Sequence, residues 1–457
     1  MQNNKSKLSV IIIALVWFLP SMALAQLLEP NLRELIHQGL DKSHSVNSYN
    51  FDKEQAKVDQ KIAKSVLLPK LTLNGSYTRL NDDITFDEDT ENLLISTQKL
   101  LIKEAVGIPF NDAFPESIPL TAVPNLQNKN ILKSNMDLDW VVFSGFAVDN
   151  AIEASKHKEA SLNHLTEVEK GKVALKIIET YDKLALVYAS KGVLTTSQDF
   201  LNEQEYFVRK AIENGLTTPI DRKKIELAQQ QLEGKLLEFE QNKTLLIEVL
   251  HQLTNDDREH LSSLQPTLEP YAINTLSMAE KRNEIMALEE AEQATLFKAQ
   301  MEKNNFIPKV AVKGHYEFIE SGLSLLDPKW YVGLGLKWNV FDGFESRLKS
   351  EKTKIEGLKY GEQKAEAEEM IALSIINAEF TYQSSLQNIK MVHKEIELAS
   401  DTYDMINKQY KNSLASVNDV LDALNELEKS NFKLQESFFK QRKAATALLH
   451  AKGILYY

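Results

Sequence analysis

The residues able to do chemistry are sparse in this chain. Nine histidines are scattered along it, and two of them, His251 and His450, fall at similar positions near the ends of two long helical stretches, as packing residues would. No HExxH, GxSxG or glycine-rich phosphate loop occurs, and there is no cysteine to serve as nucleophile, thiolate ligand or disulfide partner. The acidic run "NDDITFDEDTEN" at 81–92 lacks the spacing and glycine of a calcium loop and reads as solvated loop. Asp419 and Asp422 stand one helical turn apart, so their carboxylates share a face. Their chemistry would be electrostatic. Nothing in this inventory points to an enzyme, a cofactor or a metal centre.

A chain without reactive groups works through its elements. Lys5 and Lys7 precede the apolar run "LSVIIIALVWFL", and "ALA" at 23–25 has the form of a secretory cleavage site, so residues 1–25 read as a signal peptide. No cysteine follows that site, which excludes a lipoprotein anchor. The net charge of −12 argues against nucleic acid as a partner. No later apolar run is long enough for a transmembrane helix, so a membrane crossing would need β-strands.

Two stretches recur. "PKLTLNGSY" at 69–77 returns as "PKVAVKGHY" at 308–316, and "LDWVVFSGF" at 138–146 returns as "LKWNVFDGF" at 336–344. "NGLTTPID" at 214–221 aligns likewise with "NSLASVND" at 412–419. An internal duplication follows. Repeat 1 (26–267) reads helix, strand 70–79, loop 80–135, strand 136–144, helix 147–212, turn 213–219 and helix 220–253. Repeat 2 (268–457) reads helix, strand 309–318, strand 331–341, helix 345–411, turn 412–416 and helix 417–452.

The strands show period-two alternation: Leu71, Leu73 and Tyr77 against Lys70, Thr72, Asn74 and Ser76, and Leu334, Leu336 and Trp338 against Gly333, Gly335 and Lys337. Their length of about 9–11 residues suits tilted membrane strands. Tyr77, Trp140, Tyr316 and Trp338 would then form an aromatic belt. A soluble sandwich with one buried face is the alternative. Each long helix would reach about 100 Å at ~1.5 Å per residue, with Ala174, Ile177, Tyr181, Leu184 and Tyr188 as a heptad-like seam. Pro69, Pro308, Gly145 and Gly343 mark the helix–strand joints.

In "NLRELIHQGLDKSHSV", "LLPKLTLNGSYT", the "VFSGF"/"VFDGF" pair and the two turns, in that order across nearly all of 30–457, the chain resembles the TolC-like outer-membrane efflux and secretion family. The resemblance implies a mainly helical protein with membrane β: a homotrimer giving four strands per protomer to one 12-stranded barrel, continued by a periplasmic helical barrel. Four strands cannot close a barrel alone. It implies a passive exit duct in outer-membrane lipid, reached through a periplasmic adaptor (membrane fusion protein) from an inner-membrane pump of RND, ABC or MFS type. Adaptor docking would fall on Asn214, Gly215, Leu216, Asn412, Ser413 and Leu414. Asp419 and Asp422 match an acidic ring at the periplasmic entrance, and Tyr410 with Asp221 a closed-state latch. Where better-known members carry a latch arginine and a glycine, this chain has Ala415 and Ser413, which leaves Arg222 or Lys223 as substitutes. The competing class is a soluble periplasmic coiled-coil adaptor, which also predicts secretion and long hairpins but no doubled amphipathic strands.

Overall fold

The computed structural model describes residues 28–273, 281–319 and 328–455, so the expected signal peptide lies outside the described residues. Two compact units are formed, one from the chain up to Ala56, His157–Glu292 and Gly357 onward, the other from Lys57–Lys156 and Gln293–Glu356.

The second unit holds the sheet: β1 (Lys70–Arg79), β2 (Asn130–Phe143), β3 (Lys309–Ile319) and β4 (Trp330–Lys337). All neighbours are antiparallel and the order is β1-β2-β3-β4, so β1 and β4 each leave one edge unpaired. The register sorts the side chains cleanly. Leu71 pairs with Leu138, Leu73 with Met136, Tyr316 with Met136 and Trp330, and Leu334 with Val312, which gathers the apolar set on one face. Lys70–Asp139, Asp139–Lys313 and Lys309–Lys337 pairs occupy the other. The apolar face is uncovered: Leu71, Leu73, Val332, Leu334 and Leu336 are 67–80% exposed. A sandwich needs a second layer over that face, and among the described residues the only sheet is this one.

The aromatic residues fall into two bands, because a hairpin has two ends. Trp140 and Trp338 lie at the ends where strands join helices, while Tyr77, Tyr316 and Trp330 lie at the opposite ends. Tyr77 faces Leu132, eight residues before Trp140. That is about 26 Å along a strand at ~3.3 Å per residue.

Two strand boundaries differ from expectation by more than one residue, and one is the end of β4, which stops at Lys337 rather than 341. β2 starts at Asn130 rather than 136, since Tyr77, Thr78 and Arg79 find partners in Leu132, Ile131 and Asn130. The expected loop 80–135 also contains a helix, α3 (Glu88–Val106). The first half of the acidic run, 81–86, stays outside helix as expected, while its second half starts that helix: Asp87 accepts the Thr90 N–H at 2.7 Å, and Glu88, Asp89 and Glu91 fill a first turn that favours negative charge.

At the joints the chain folds back through consecutive left-handed residues, Gly145 and Phe146 (φ 67° and 61°) and Gly343 and Phe344 (φ 67° and 68°). Ser144 Oγ then accepts the Val148 N–H, and Asp342 Oδ2 the Ser346 N–H, at the first turns of α4 (Ala147–Glu213) and α8 (Glu345–Lys411). The Trp140 indole donates to the Leu67 carbonyl at 2.9 Å and the Trp338 indole to the Phe306 carbonyl at 3.0 Å, each two residues before the joint proline. The two glycines differ in one respect. A Cβ on Gly145 would meet Ile307 Cβ and its carbonyl oxygen at 3.1 Å, whereas one on Gly343 meets open space. Gly343→Ala should therefore cost about 1 kcal/mol, the left-handed penalty alone, and Gly145→Ala about 2–3 kcal/mol; thermal denaturation of the two variants checks the ranking.

The first unit is helical: α1 (Pro30–Lys42), much of α4, α5 (Pro219–Thr254), α6 (Arg258–Ser263), the start of α7 (Asn283–Lys303), most of α8 and α9 (Val417–Ala451). Helix α2 (His44–Ser65) is divided between the units. Ala174, Ile177, Tyr181 and Leu184 are all at most 1% exposed and pack with Leu32, Leu35, Ile36, Leu250 and Ala445. The apolar period of the sequence thus marks the buried face of α4.

Candidate functional site

Two helix turns lie at the end of this unit where α4 meets α5 and α8 meets α9. Both are closed by one pattern. Gly215 N–H donates to Ile212 O at 3.0 Å and Leu216 N–H to Ala211 O at 2.8 Å; Ser413 N–H donates to Tyr410 O and Leu414 N–H to Gln409 O, both at 2.9 Å. These are Schellman turns, which need a left-handed residue after the helix. Gly215 (φ 72°) takes that place without strain, and Ser413 takes it at φ 59°. Pro219 then opens α5 in its first turn, where a missing N–H is harmless.

Asn214 and Asn412 each donate a side-chain N–H to a carbonyl four residues back, Lys210 and Lys408, at 2.8 Å. Leu216 and Leu414 are left 71% and 78% exposed, with Ile220 beside the first turn at 65%. A small core of Val208, Ile225 and Val417, flanked by Ile212, Tyr410 and Leu421, brings the two turns together. Above it, buried Gln204 donates to Asn407 Oδ1 at 3.1 Å, and Lys411 pairs with Glu203 at 3.1 Å.

The expected latch is not formed as a hydrogen bond. The Tyr410 hydroxyl is buried and has no partner, and burial, then the nearby Asp221 charge, push its pKa up. The Asp221 carboxylate is taken elsewhere, accepting from Thr217 Oγ1 at 2.5 Å and Lys224 Nζ at 3.2 Å, and the Thr217 bond holds it below the usual carboxylate range. Arg222 and Lys223 do not replace the missing arginine here, since both pair with Glu226.

Asp419 also has a local task. Its carboxylate accepts from Ser416 N–H at 2.8 Å and Ser416 Oγ at 2.7 Å, while Ser416 Oγ accepts the Asp419 N–H at 3.3 Å, a reciprocal capping box that holds the Asp419 pKa down. The "SVND" spacing carried that signal in the sequence. Asp422 is exposed on the same helix, one turn on.

Sequence reasoning passed over the most buried charge. Arg442 of α9 and Asp182 of α4 are each 2% exposed and pair at 2.6 Å. The guanidinium also donates to the Thr267 and Glu269 carbonyls at 3.2 and 3.3 Å and to the Tyr271 hydroxyl, and lies 4.0 Å from the Tyr271 ring centroid. Gln441 closes the knot through both backbone groups of Tyr271, and Tyr181 donates to Glu29 at 2.7 Å. Segment 267–271 between the repeats is thereby fastened to α4 and α9. In the sequence Arg442 stands between Lys440 and Lys443 in "KQRKAATALL", so nothing local marks it as the buried charge.

Among the described residues no group of three or more His, Cys, Asp or Glu side chains could hold a metal, and no helix is long and apolar enough to cross a membrane. No family model and no curated protein sequence matches the chain. Solved structures do. The outer membrane protein VceC of Vibrio cholerae superposes with a TM-score of 0.68 at 16% identity, covering 93% of this chain and 96% of that one. The CmeC outer membrane channel of Campylobacter jejuni gives 0.67 at 14% identity, covering 93% and 86%. The open state of the MtrE outer membrane channel of Neisseria gonorrhoeae gives 0.65 at 13% identity, covering 93% and 89%. Over 93% of its length, this chain has the TolC-like fold of solved outer-membrane channels.

Proposed function

We propose that the chain is one third of an outer-membrane exit duct, a homotrimer that passively conducts cargo delivered by a periplasmic adaptor and an inner-membrane pump. The observation that carries this reading is the sheet: four strands with an uncovered apolar face, an opposite polar face, two aromatic bands and two open edges. Such a sheet is unsuited to water by itself. Pairing β4 of one copy with β1 of the next removes both edges, and three copies give a 12-stranded barrel whose polar face lines a wet lumen.

The helical unit supports the same closure. Ile220, Leu227 and Leu245 on α5 and Phe380, Leu398 and Met405 on α8 are all more than half exposed. Set antiparallel with Ile220 opposite Met405, the two stripes bring Leu227 opposite Leu398 and Leu245 opposite Phe380. Exposed Met391 then meets Gly234, around which no atom stands within 4 Å of a would-be Cβ. The stripes fit a neighbouring copy.

The tips are the docking surface for the adaptor, with Leu216 and Leu414 as apolar contacts. Adaptor binding favours an open packing of the turns, and the unpartnered Tyr410 hydroxyl next to Asp221 is where the closed packing gives way. Cargo moves on the pump's energy.

A photo-reactive residue at Asn214 or Asn412 in living cells tests the assignment. Both tips should capture a periplasmic adaptor, while a site on the α8 stripe captures the same chain. Self-capture on the stripe with nothing caught at either tip would remove the adaptor from the account.

A further inference from the structure

On the polar face of β3 and β4 the register creates an arrangement that strands normally avoid. Lys309 stands directly opposite Lys337, and one residue pair on the same face separates them from Lys313, which lies opposite Gly333. Between the two rows, Ala311 faces Gly335. Three ammonium groups therefore surround a floor of Ala311, Gly333 and Gly335 that carries no side chain larger than a methyl. Like charges directly opposite destabilise a strand pair, and strand glycines weaken it further while marking places where something approaches the backbone closely.

Edge protection could account for Lys337 on β4 alone, and neither it nor charge pairing accounts for the three lysines together. Lysines protect exposed edges, but Lys309 and Lys313 are on β3, which is paired on both sides. Compensation is slight: Lys309 Nζ donates to Asn305 Oδ1 at 3.0 Å, Lys313 reaches Asp139 only at 3.9 Å, and Lys337 is exposed. Lys70 follows in the row beyond Asp139. The next acid on the face, Asp137, is already taken by His315 at 2.7 Å and by the amides of Asn74 and Asn135. The glycine floor is open. A Cβ on Gly333 would meet nothing within 4 Å, and one on Gly335 would touch only the Ala311 carbonyl at 3.8 Å and the Lys313 stem at 3.9 Å. This cationic cradle stands in a chain of net charge −12.

We propose that Lys309, Lys313 and Lys337 over the Ala311–Gly333–Gly335 floor bind multivalent oxyanions, the phosphate or clustered carboxylate groups of anionic solutes. The duct reading is needed only to place this face at a water-filled lumen, where three cradles form a cationic collar that favours anionic cargo.

Calorimetric titration of the detergent-purified full protein with inorganic tripolyphosphate tests the cradle itself. Binding should be measurable, and Lys309→Gln with Lys337→Gln should raise the half-saturating concentration at least ten-fold. Gly335→Leu, which fills the floor and leaves every charge in place, should do the same. Circular dichroism shows whether each variant is folded. No heat in the parent protein, or equal binding in the folded variants, overturns the cradle. Planar-bilayer recording then tests its place: tripolyphosphate added on the strand side should block the current in the parent and ten-fold less effectively in the double variant. Tripolyphosphate binding by a protein that forms no conducting pore would leave the cradle standing and contradict the duct reading instead.

Discussion

Replacing Arg442 by alanine is expected to cost about 3–5 kcal/mol, the largest loss from any single substitution in the helical unit. Asp182 is 2% exposed, and with the guanidinium gone its carboxylate has no counter-charge. The carbonyls of Thr267 and Glu269 lose a donor, and segment 267–271 loses its main attachment. The double variant Arg442→Met with Asp182→Leu should recover much of the loss, because it removes the stranded charge along with its partner. Acidity gives a second readout. Burial already pushes the Asp182 carboxyl above the ordinary range, with Arg442 pulling against it. An acid whose folded pKa lies above its unfolded one binds its proton more tightly when folded, so stability falls as the pH rises through that interval. Arg442→Ala widens the interval. Its deficit against the parent should therefore shrink as the pH is lowered from neutrality towards the ordinary carboxylate pKa. Heat denaturation followed by helical circular dichroism at several pH values measures it, and a pH-independent deficit would mean that lost packing, not the stranded carboxylate, dominates.

Asp422→Asn should raise the concentration of a trivalent cation needed to half-block the pore from the tip side by about ten-fold. A unit charge pair in water at ~8 Å is worth about 0.5 kcal/mol. A trivalent ion facing three carboxylates involves about nine such pairs, roughly 4–5 kcal/mol, and screening over a Debye length of ~8–10 Å leaves about 1.5–2 kcal/mol. Asp419→Asn is a poorer probe. Its carboxylate is bound to Ser416, so the substitution also removes a cap worth about 1 kcal/mol and frays the start of α9. Single-channel recording with hexamminecobalt on either side reads the effect. Equal block in parent and Asp422→Asn would remove the entrance ring from the account.

Much of this was legible because periodicity is a strong signal over long elements. Helices α4 and α8 run from Ala147 to Glu213 and from Glu345 to Lys411, one residue from expectation or less at each end, since no proline interrupts them and glycines at 145 and 343 mark their beginnings. The turns were legible too: Gly215 and Pro219 occupy the places their backbone chemistry suits. The departures have common physical origins. Asp87 and its acidic neighbours looked like solvated loop because charge alone does not distinguish a loop from the first turn of a helix; the cap to Thr90 decides it. Tyr410 and Asp221 come close, but a nearer hydroxyl, Thr217, wins the carboxylate, a competition between local and distant partners that spacing does not reveal. The Arg442 knot joins residues 260 positions apart and has no local signature.

The central claim is that four strands per chain are one third of a barrel. Native mass spectrometry of the protein extracted from cell envelopes in detergent tests it most directly. Three copies per particle, released from the membrane only by detergent, is the predicted result. A single chain that leaves the envelope with a salt wash would contradict it, since the apolar face of β1–β4 would then be covered by something other than lipid and the open strand edges by something other than a neighbour.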